Sequence, residues 1–353
     1  FSGKVADGFI WGRGTLDDKG CLIALMEAVE ILIKAKFKPR RTVYLAFGHD
    51  EETGGQNGAQ KIAAYLKKKG VQFSFVIDEG LTLLKKDLSP ARRKTALIGL
   101  SEKGVVTLKL TAKSESGHSS MPHRKTAIGA LARAVNRLEV YQMPTNIFGP
   151  AAKLFEFIGP EMALLPKILF ANLWVFKGII TRQLEKVNTT NALIRTTCAP
   201  TVIKGGAKEN ILPGQAYCFL NFRILPGDSI SDVLVHAGNV ISDPAIEVSI
   251  HDGAFDTEPS PLAKVDALGF KTIRRTINEI FKDTIVAPGL VFGATDSRHY
   301  QSICENIYRF VPYNLGRADT HRIHGVDECL AIEDYVKLIQ FYAQLIRNCD
   351  GEK

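Results

Sequence analysis

Three consecutive acids, Asp50-Glu51-Glu52, follow directly on the β-like run Arg41 to Phe47 and lead into Thr53-Gly54-Gly55. Carboxylates packed together at the end of a hydrophobic strand repel one another, and only open solvent or a bound cation relieves that cost. The arrangement favours a cation. Asp78-Glu79-Gly80 closes the apolar run Phe73 to Ile77 in the same way, and Gly12-Arg13-Gly14-Thr15-Leu16-Asp17-Asp18-Lys19-Gly20 sets two further carboxylates where a helix begins. Aspartate is a common N-cap, so this last cluster taken alone reads as a helix start. Acidic strand ends in one parallel sheet converge on one edge, where open α/β sheets hold their ligands. If the cation is zinc it also needs an imidazole, and the candidate is His324, in His321-Arg322-Ile323-His324-Gly325-Val326-Asp327-Glu328.

At 353 residues the chain is long enough for two domains. Residues 1–97 read as strand, helix and strand with short links: helices over Gly20 to Ala35 and Gly58 to Lys69, strands over Arg41 to Phe47 and Phe73 to Ile77. This predicts a mostly parallel sheet covered by helices. From 98 to 253 the pattern becomes βαββαβ, with strands near Gly104 to Lys113, Thr197 to Lys204, Ala216 to Ile224 and Ile246 to His251. Helices fall over Thr126 to Leu138 and Asp232 to Ile241. That order predicts a ferredoxin-like lid or dimerisation domain inserted into the first, itself carrying an apolar insertion at about 141–190. Residues 254–353 complete the α/β domain and end in a helix over Ile332 to Arg347.

Hydrophobic residues form 45% of the chain and charged residues 23%, enough for an ordinary core. The net charge of +8 spreads over 45 basic and 37 acidic residues without a Lys/Arg block, which speaks against nucleic acid as a partner. Six cysteines without a CxxC pair exclude a zinc ribbon or a dense disulfide framework. The chain opens on Phe1 rather than Met, without a signal-peptide pattern.

The strings Gly12-Arg13-Gly14 to Asp17 and Lys19-Gly20, Asp50-Glu51-Glu52 with Gly54-Gly55, and His324-Gly325 resemble the di-zinc aminoacylase/carnosinase/glutamate-carboxypeptidase family. So do Gly117-His118-Ser119-Ser120-Met121-Pro122, Gly205-Gly206 through Asn210-Ile211-Leu212-Pro213 to Arg223, and Gly293-Ala294-Thr295-Asp296-Ser297-Arg298, so that the resemblance spans the chain. It implies two zinc ions per subunit, with Asp17 bridging them, Glu52 and His324 completing one site, and Asp78 belonging to the other. It implies Glu51 as general base, His118 at the developing oxyanion, often in a neighbouring subunit of a homodimer formed through the lid, and Asn210, Arg223 and Arg298 on the substrate carbonyl or carboxylate. It also implies a cis Asp17–Asp18 peptide. The family's remaining zinc ligand, a His in a His-x-Asp motif upstream of the Gly-Arg-Gly loop, has no counterpart in the sixteen residues before Asp17. The expectation is that a longer polypeptide supplies it and that this chain alone holds at most one zinc tightly.

Within that family the chain is most similar to the branch that hydrolyses and forms N-fatty-acyl amino acids and to carboxypeptidase S, through Lys186-Val187-Asn188-Thr189-Thr190-Asn191-Ala192-Leu193 and Lys204-Gly205-Gly206. The implied activity is reversible, zinc-dependent cleavage of N-acyl amino acids. Alternatives are a dipeptidase or carboxypeptidase on the same scaffold, or a non-catalytic ligand-binding chain lacking one metal ligand. Asn188-Thr189-Thr190 is a glycosylation sequon, consistent with a secreted protein or one of the vacuolar or lysosomal lumen. The apolar stretch Ala163 to Phe176 is interrupted by Pro166, Lys167 and Asn172 and is no clean membrane span. It reads as lid core or dimer contact, or else as an acyl-chain groove or a contact with a lipid or lipoprotein surface.

Overall fold

The computed structural model describes residues 3–350. Packing divides the chain into two units, one formed by Phe1–Ser101, Pro150–Lys177 and Pro261–Lys353, the other by Glu102–Gly149 and Gly178–Ser260.

The first unit is α/β. Its four-stranded sheet has the order Ile285–Val291, Thr95–Glu102, Ile307–Leu315, Val76–Leu84. Val76–Leu84 runs parallel to Ile307–Leu315, while Thr95–Glu102 is antiparallel to both. The sheet is therefore mixed rather than mostly parallel, because the short link from Leu84 to Thr95 turns the chain back instead of crossing over. Every residue of Ile285–Val291 is buried, as a strand covered on both faces requires. Helices Lys19–Lys34, Leu268–Ile280 and Ile332–Asn348 bury one stripe each: Ala24, Ala28 and Leu32; Phe270, Ile273 and Ile277; Leu338, Phe341 and Leu345. These meet Leu83, Ile98, Leu100 and Phe310 of the sheet in one core. A small antiparallel sheet joins Lys4–Ala6, Phe9–Trp11 and Cys329–Ala331, tying the start of the chain to its end.

Two expectations about this unit need correcting. The run Arg41 to Phe47 pairs with no strand among the described residues. It lies beside the Phe73 segment through an Arg41–Ser74 hydrogen bond of 3.3 Å and an edge-on Tyr44–Phe73 contact, leaving Val43, Tyr44, Leu45 and Phe47 about 40% exposed. Apolar sequence alone does not make a strand; a backbone ladder does. Pro150–Lys177, placed with the lid from the sequence, packs with the first unit. Phe155 stacks on Phe170 at 4.4 Å, Phe157 meets Phe270 edge-on, and Ile158 shares a cluster with Ala91, Ile285 and Ala287.

The second unit is the βαββαβ arrangement. Its sheet has the order Ile246–Ile250, Gly104–Lys113, Gln215–Ile224, Thr197–Gly205, antiparallel throughout. Val106, Leu108, Leu110 and Ala112 alternate inward against Ala130, Leu131, Ala134 and Leu138 of helix Ala127–Val140, and against Val233, Ala237 and Ile241 of helix Ile230–Ile241. Thr126 and Ser229 cap the two helices, Ser229 within a capping box. All six cysteines are free, and no helix among the described residues is long and apolar enough to cross a membrane.

Candidate metal centre

Asp17 ends the Gly-rich loop, just before helix Lys19–Lys34, and its peptide to Asp18 is cis. The loop is shaped by Gly14, in the left-handed region at φ +85°, and by Gly20, where a Cβ would lie 2.2 Å from the Thr15 carbonyl oxygen. One buried side chain holds it: Glu328 Oε1 accepts from the amides of Leu16 at 2.8 Å and Asp17 at 3.2 Å.

The acidic triplet folds into a single 3-10 turn, Glu51–Thr53, and its members part company. The Asp50 carboxylate accepts from the amides of Asn57 and Gly58, at 2.7 and 2.8 Å, and so anchors the start of helix Ala59–Lys68. These bonds, the Asn57 amide first, hold its carboxyl below the usual range. Glu52 turns towards Asp17 and His324. Glu51 is half-buried, and that burial, helped by the charges of Asp296 and Glu52, pushes its carboxyl up to about 7. Gly54 and Gly55 follow at positive φ, and a Cβ on Gly55 would lie 2.1 Å from Asp296 Oδ1.

His324, itself at φ +57°, closes the site from the far end of the chain. Its Nε2 lies 2.6 Å from Asp17 Oδ2 and 3.5 Å from Glu52 Oε1. Ligand atoms of Asp17, Glu52 and His324 all fall within 4.8 Å of one another, the one such group among the described residues. The Asp17 hydrogen bond raises the His324 pKa above its ordinary value.

Asp78 stands outside this triad, on a bulged strand. Its register partner is Arg309, yet the next pair is Leu81 with Phe310, so Glu79 and Gly80 are looped out. Gly80 is required there, since a Cβ would meet that of Arg309 at 2.6 Å. Burial pushes Glu79 up to about 10, reinforced by Asp18, Asp78 and Asp17, with which it shares a hydrogen bond. Burial likewise lifts Asp18 to about 7, against a hydrogen bond with Cys21. Asp78 thus belongs to a second acidic group with Asp17, Asp18 and Glu79. Two carboxylates and one imidazole with converging donor atoms fit a divalent cation of borderline softness. The buried Asp18 Oδ1, which finds no hydrogen-bond donor among the described residues, agrees with a site built for positive charge.

Arg298, expected on a substrate carboxylate, donates from its two terminal nitrogens to the carbonyls of Thr295 and Gly54, each at 2.9 Å. His299 Nε2 also lies 3.0 Å from the Gly54 oxygen. In this structure both brace the turn that carries Glu51. Asp18, Glu79 and Glu328 lie inside or beside these motifs, yet nothing in the local sequence marks their burial.

In the second unit, strand Gly117–His118 pairs with Ile211–Leu212, and the Ser119 amide donates to the Asn210 carbonyl at 3.1 Å. His118 and Asn210 are therefore neighbours; the His118 ring engages the Ser120 hydroxyl at 2.8 Å. Arg223 lies elsewhere, on strand Gln215–Ile224, with Nε donating to Asn221, and burial lowers its pKa. Asn188 is exposed at the first turn of helix Asn188–Ile194.

Two carboxylates and an imidazole that could hold a cation, beside a half-buried carboxyl and set on an α/β sheet, suit a metal-dependent hydrolase. The chain belongs to peptidase family M20/M25/M40, which it matches over residues 1–348. It is 45% identical over 355 residues to the N-fatty-acyl-amino acid synthase/hydrolase PM20D1 of Xenopus tropicalis, covering 100% of this chain and 69% of that protein. With the human protein of that name it shares 40% identity over 356 residues, 100% and 70% of the two chains. It is 43% identical over 352 residues to probable carboxypeptidase S-like 2 of Dictyostelium discoideum, covering 99% and 67%. Among solved structures, the M20 family metallo-carboxypeptidase Sso-CP2 of Sulfolobus solfataricus has the same fold, with a TM-score of 0.67 at 18% identity, covering 100% of this chain and 80% of that one.

Proposed function

We propose that this chain carries the centre of a zinc-dependent amidohydrolase that cleaves N-acyl amino acids bearing long fatty-acyl groups, and forms them when fatty acid and amino acid are abundant. The observation that carries the reading is the convergence of Asp17, Glu52 and His324 with Glu51 in the same turn. The acyl-amino-acid substrate is suggested by the names of the relatives at 40–45% identity. Asp17, Glu52 and His324 would hold the cation, which when bound polarises a scissile carbonyl and makes water acidic enough to react near neutral pH. Glu51 takes the proton of the attacking water and returns it to the leaving amine. His118 donates to the oxyanion, a contact worth about 3–4 kcal/mol when well aimed. Arg223 and Asn210 orient the substrate carboxylate and carbonyl, Arg223 through its planar fork.

Asp78, grouped with Asp17, Asp18 and Glu79, would belong to a second cation position. Leu164, Leu165, Ile168, Trp174 and Val175, between 46% and 85% exposed, support a contact with acyl chains or a lipid surface. Exposure of Asn188 supports glycosylation on a secretory route, and the reading includes a homodimer formed through the second unit. A carboxypeptidase or dipeptidase reading is favoured by the carboxypeptidase S-like relative. Turnover of long-chain N-acyl amino acids against a dipeptide panel decides between them: preference for dipeptides overturns the fatty-acyl assignment.

A further inference from the structure

Glu328 is the most enclosed acid near the metal centre. Its side chain is 2% exposed, yet it is neither a ligand nor the base. Oε1 accepts from the amides of Leu16 and Asp17, and Oε2 accepts from Arg13 Nη1 at 2.8 Å. The Glu328 backbone carbonyl accepts from the Gly12 amide at 3.1 Å. The other arm of the Arg13 fork, Nη2, donates to the Gly325 carbonyl at 2.5 Å, one residue beyond His324. Two segments more than 300 positions apart are thus joined by one ion pair: the loop presenting Asp17 and the turn presenting His324. The residues that make the joint are adjacent to the ligands themselves. The Glu328 carboxylate sits on the Asp17 amide, and Arg13 grips the peptide next to His324.

We propose that Arg13 and Glu328 form a clamp that sets the Asp17-to-His324 spacing for cation capture, making both positioning residues of the metal centre. This rests on the reading of Asp17, Glu52 and His324 as metal ligands. A carboxylate is needed at 328 because it must accept from two amides on one oxygen and from a guanidinium on the other. Glutamine keeps the shape but turns its amide NH2, a donor, towards Arg13 or towards the backbone amides. A planar fork is needed at 13 because one side chain must reach a carboxylate and a carbonyl at once, which lysine cannot do. Without the clamp both ligand loops still fold, since the small sheet Phe9–Trp11 with Cys329–Ala331 holds their outer ends. The ligand atoms, however, lose the fixed separation that a tight site requires.

The test is a zinc titration of the metal-free chain against a competing chelator, run on wild type, Glu328→Gln, Arg13→Gln, the double variant and His324→Ala, with thermal melting of each metal-free protein alongside. Glu328→Gln should weaken zinc by about 10–100-fold, the range for residues that orient ligands. Arg13→Gln, at a half-exposed position, should weaken it less, with some loss of metal-free melting temperature because the buried Glu328 carboxylate keeps only its amide donors. The double variant should fall well short of the product of the two losses, because the pair acts as one unit. Wild-type affinity in Arg13→Gln and Glu328→Gln, with His324→Ala clearly weakened, overturns the clamp and spares the metal site. Equal zinc binding by His324→Ala and wild type instead overturns the ligand assignment beneath it. Losses in melting temperature without loss of zinc affinity make the pair merely structural and also refute the proposal.

Discussion

Replacing Glu51 by glutamine tests catalysis and stability together. The side chain keeps its shape but can no longer take a proton, so turnover should fall by about 10²–10⁴-fold, the usual contribution of a positioned base, with zinc affinity retained. The same change should stabilise the metal-free protein. Burial, Asp296 and Glu52 raise the carboxyl from 4.5 to about 7. The folded state therefore holds more protons than the unfolded one between those values, and stability falls as pH rises through that window. Above it the whole penalty is present, nominally about 3 kcal/mol. Glu51 is only half-buried, so solvent screening reduces this to about 1–2 kcal/mol, a rise of a few degrees in melting temperature, about 2–4 °C per kcal/mol for a unit of this size. The assay is thermal melting of chelated wild type and Glu51→Gln at pH 8 and pH 4, beside steady-state kinetics of the zinc-loaded proteins. Refutation would come from near-normal turnover, from loss of zinc together with activity, or from a glutamine variant that melts no higher at pH 8.

Three further outcomes follow from the geometry. Gly55→Ala forces a Cβ against Asp296 at a backbone position of φ +68°; it should cost about 1–3 kcal/mol and depress kcat, read by urea unfolding and kinetics. Zinc affinity should weaken as pH falls through the raised His324 pKa, because the ring must lose its proton to bind; isothermal titration in buffers of different ionisation enthalpy should record proton release, and a pH-independent affinity would contradict it. Lys103 donates to the Ala192 and Arg195 carbonyls from a site whose burial lowers its pKa to about 7, so stability should rise between about pH 7 and 10.5, where the folded amine has lost its proton and the unfolded ammonium still holds it, a rise missing in Lys103→Met.

Much of the second unit could be read from alternation alone: Val106, Leu108, Leu110 and Ala112 mark one buried face, and the stripes on helices Ala127–Val140 and Ile230–Ile241 mark what covers it. That Asp17, Glu52 and His324 converge was legible through the family resemblance, carried by the motifs around them. What the acids do individually was not. Asp50 differs from Glu51 and Glu52 only because the chain curls to bring the Asn57 and Gly58 amides to it. Nor does the local sequence show that Arg298 reaches the Gly54 carbonyl. The apolar stretch 150–177 announced burial but not against which partner, and Arg41 to Phe47 announced a strand without a neighbour to pair with. Each of these depends on contacts between distant segments, which local patterns do not encode.

The separation of Asp17 and His324 along the chain also sets when their side chains can meet. Asp17 and His324 are 307 positions apart, and during synthesis at about 5–20 residues per second the first waits roughly 15–60 s for the second. The strands and helices of the second unit are all made within that interval and can close their short-range contacts first. The early acids meanwhile stand together without the imidazole, repelling one another and holding a cation poorly. Under the proposed reading, capture of a cation is therefore a late event that waits until the segments around Asp17 and His324 have met.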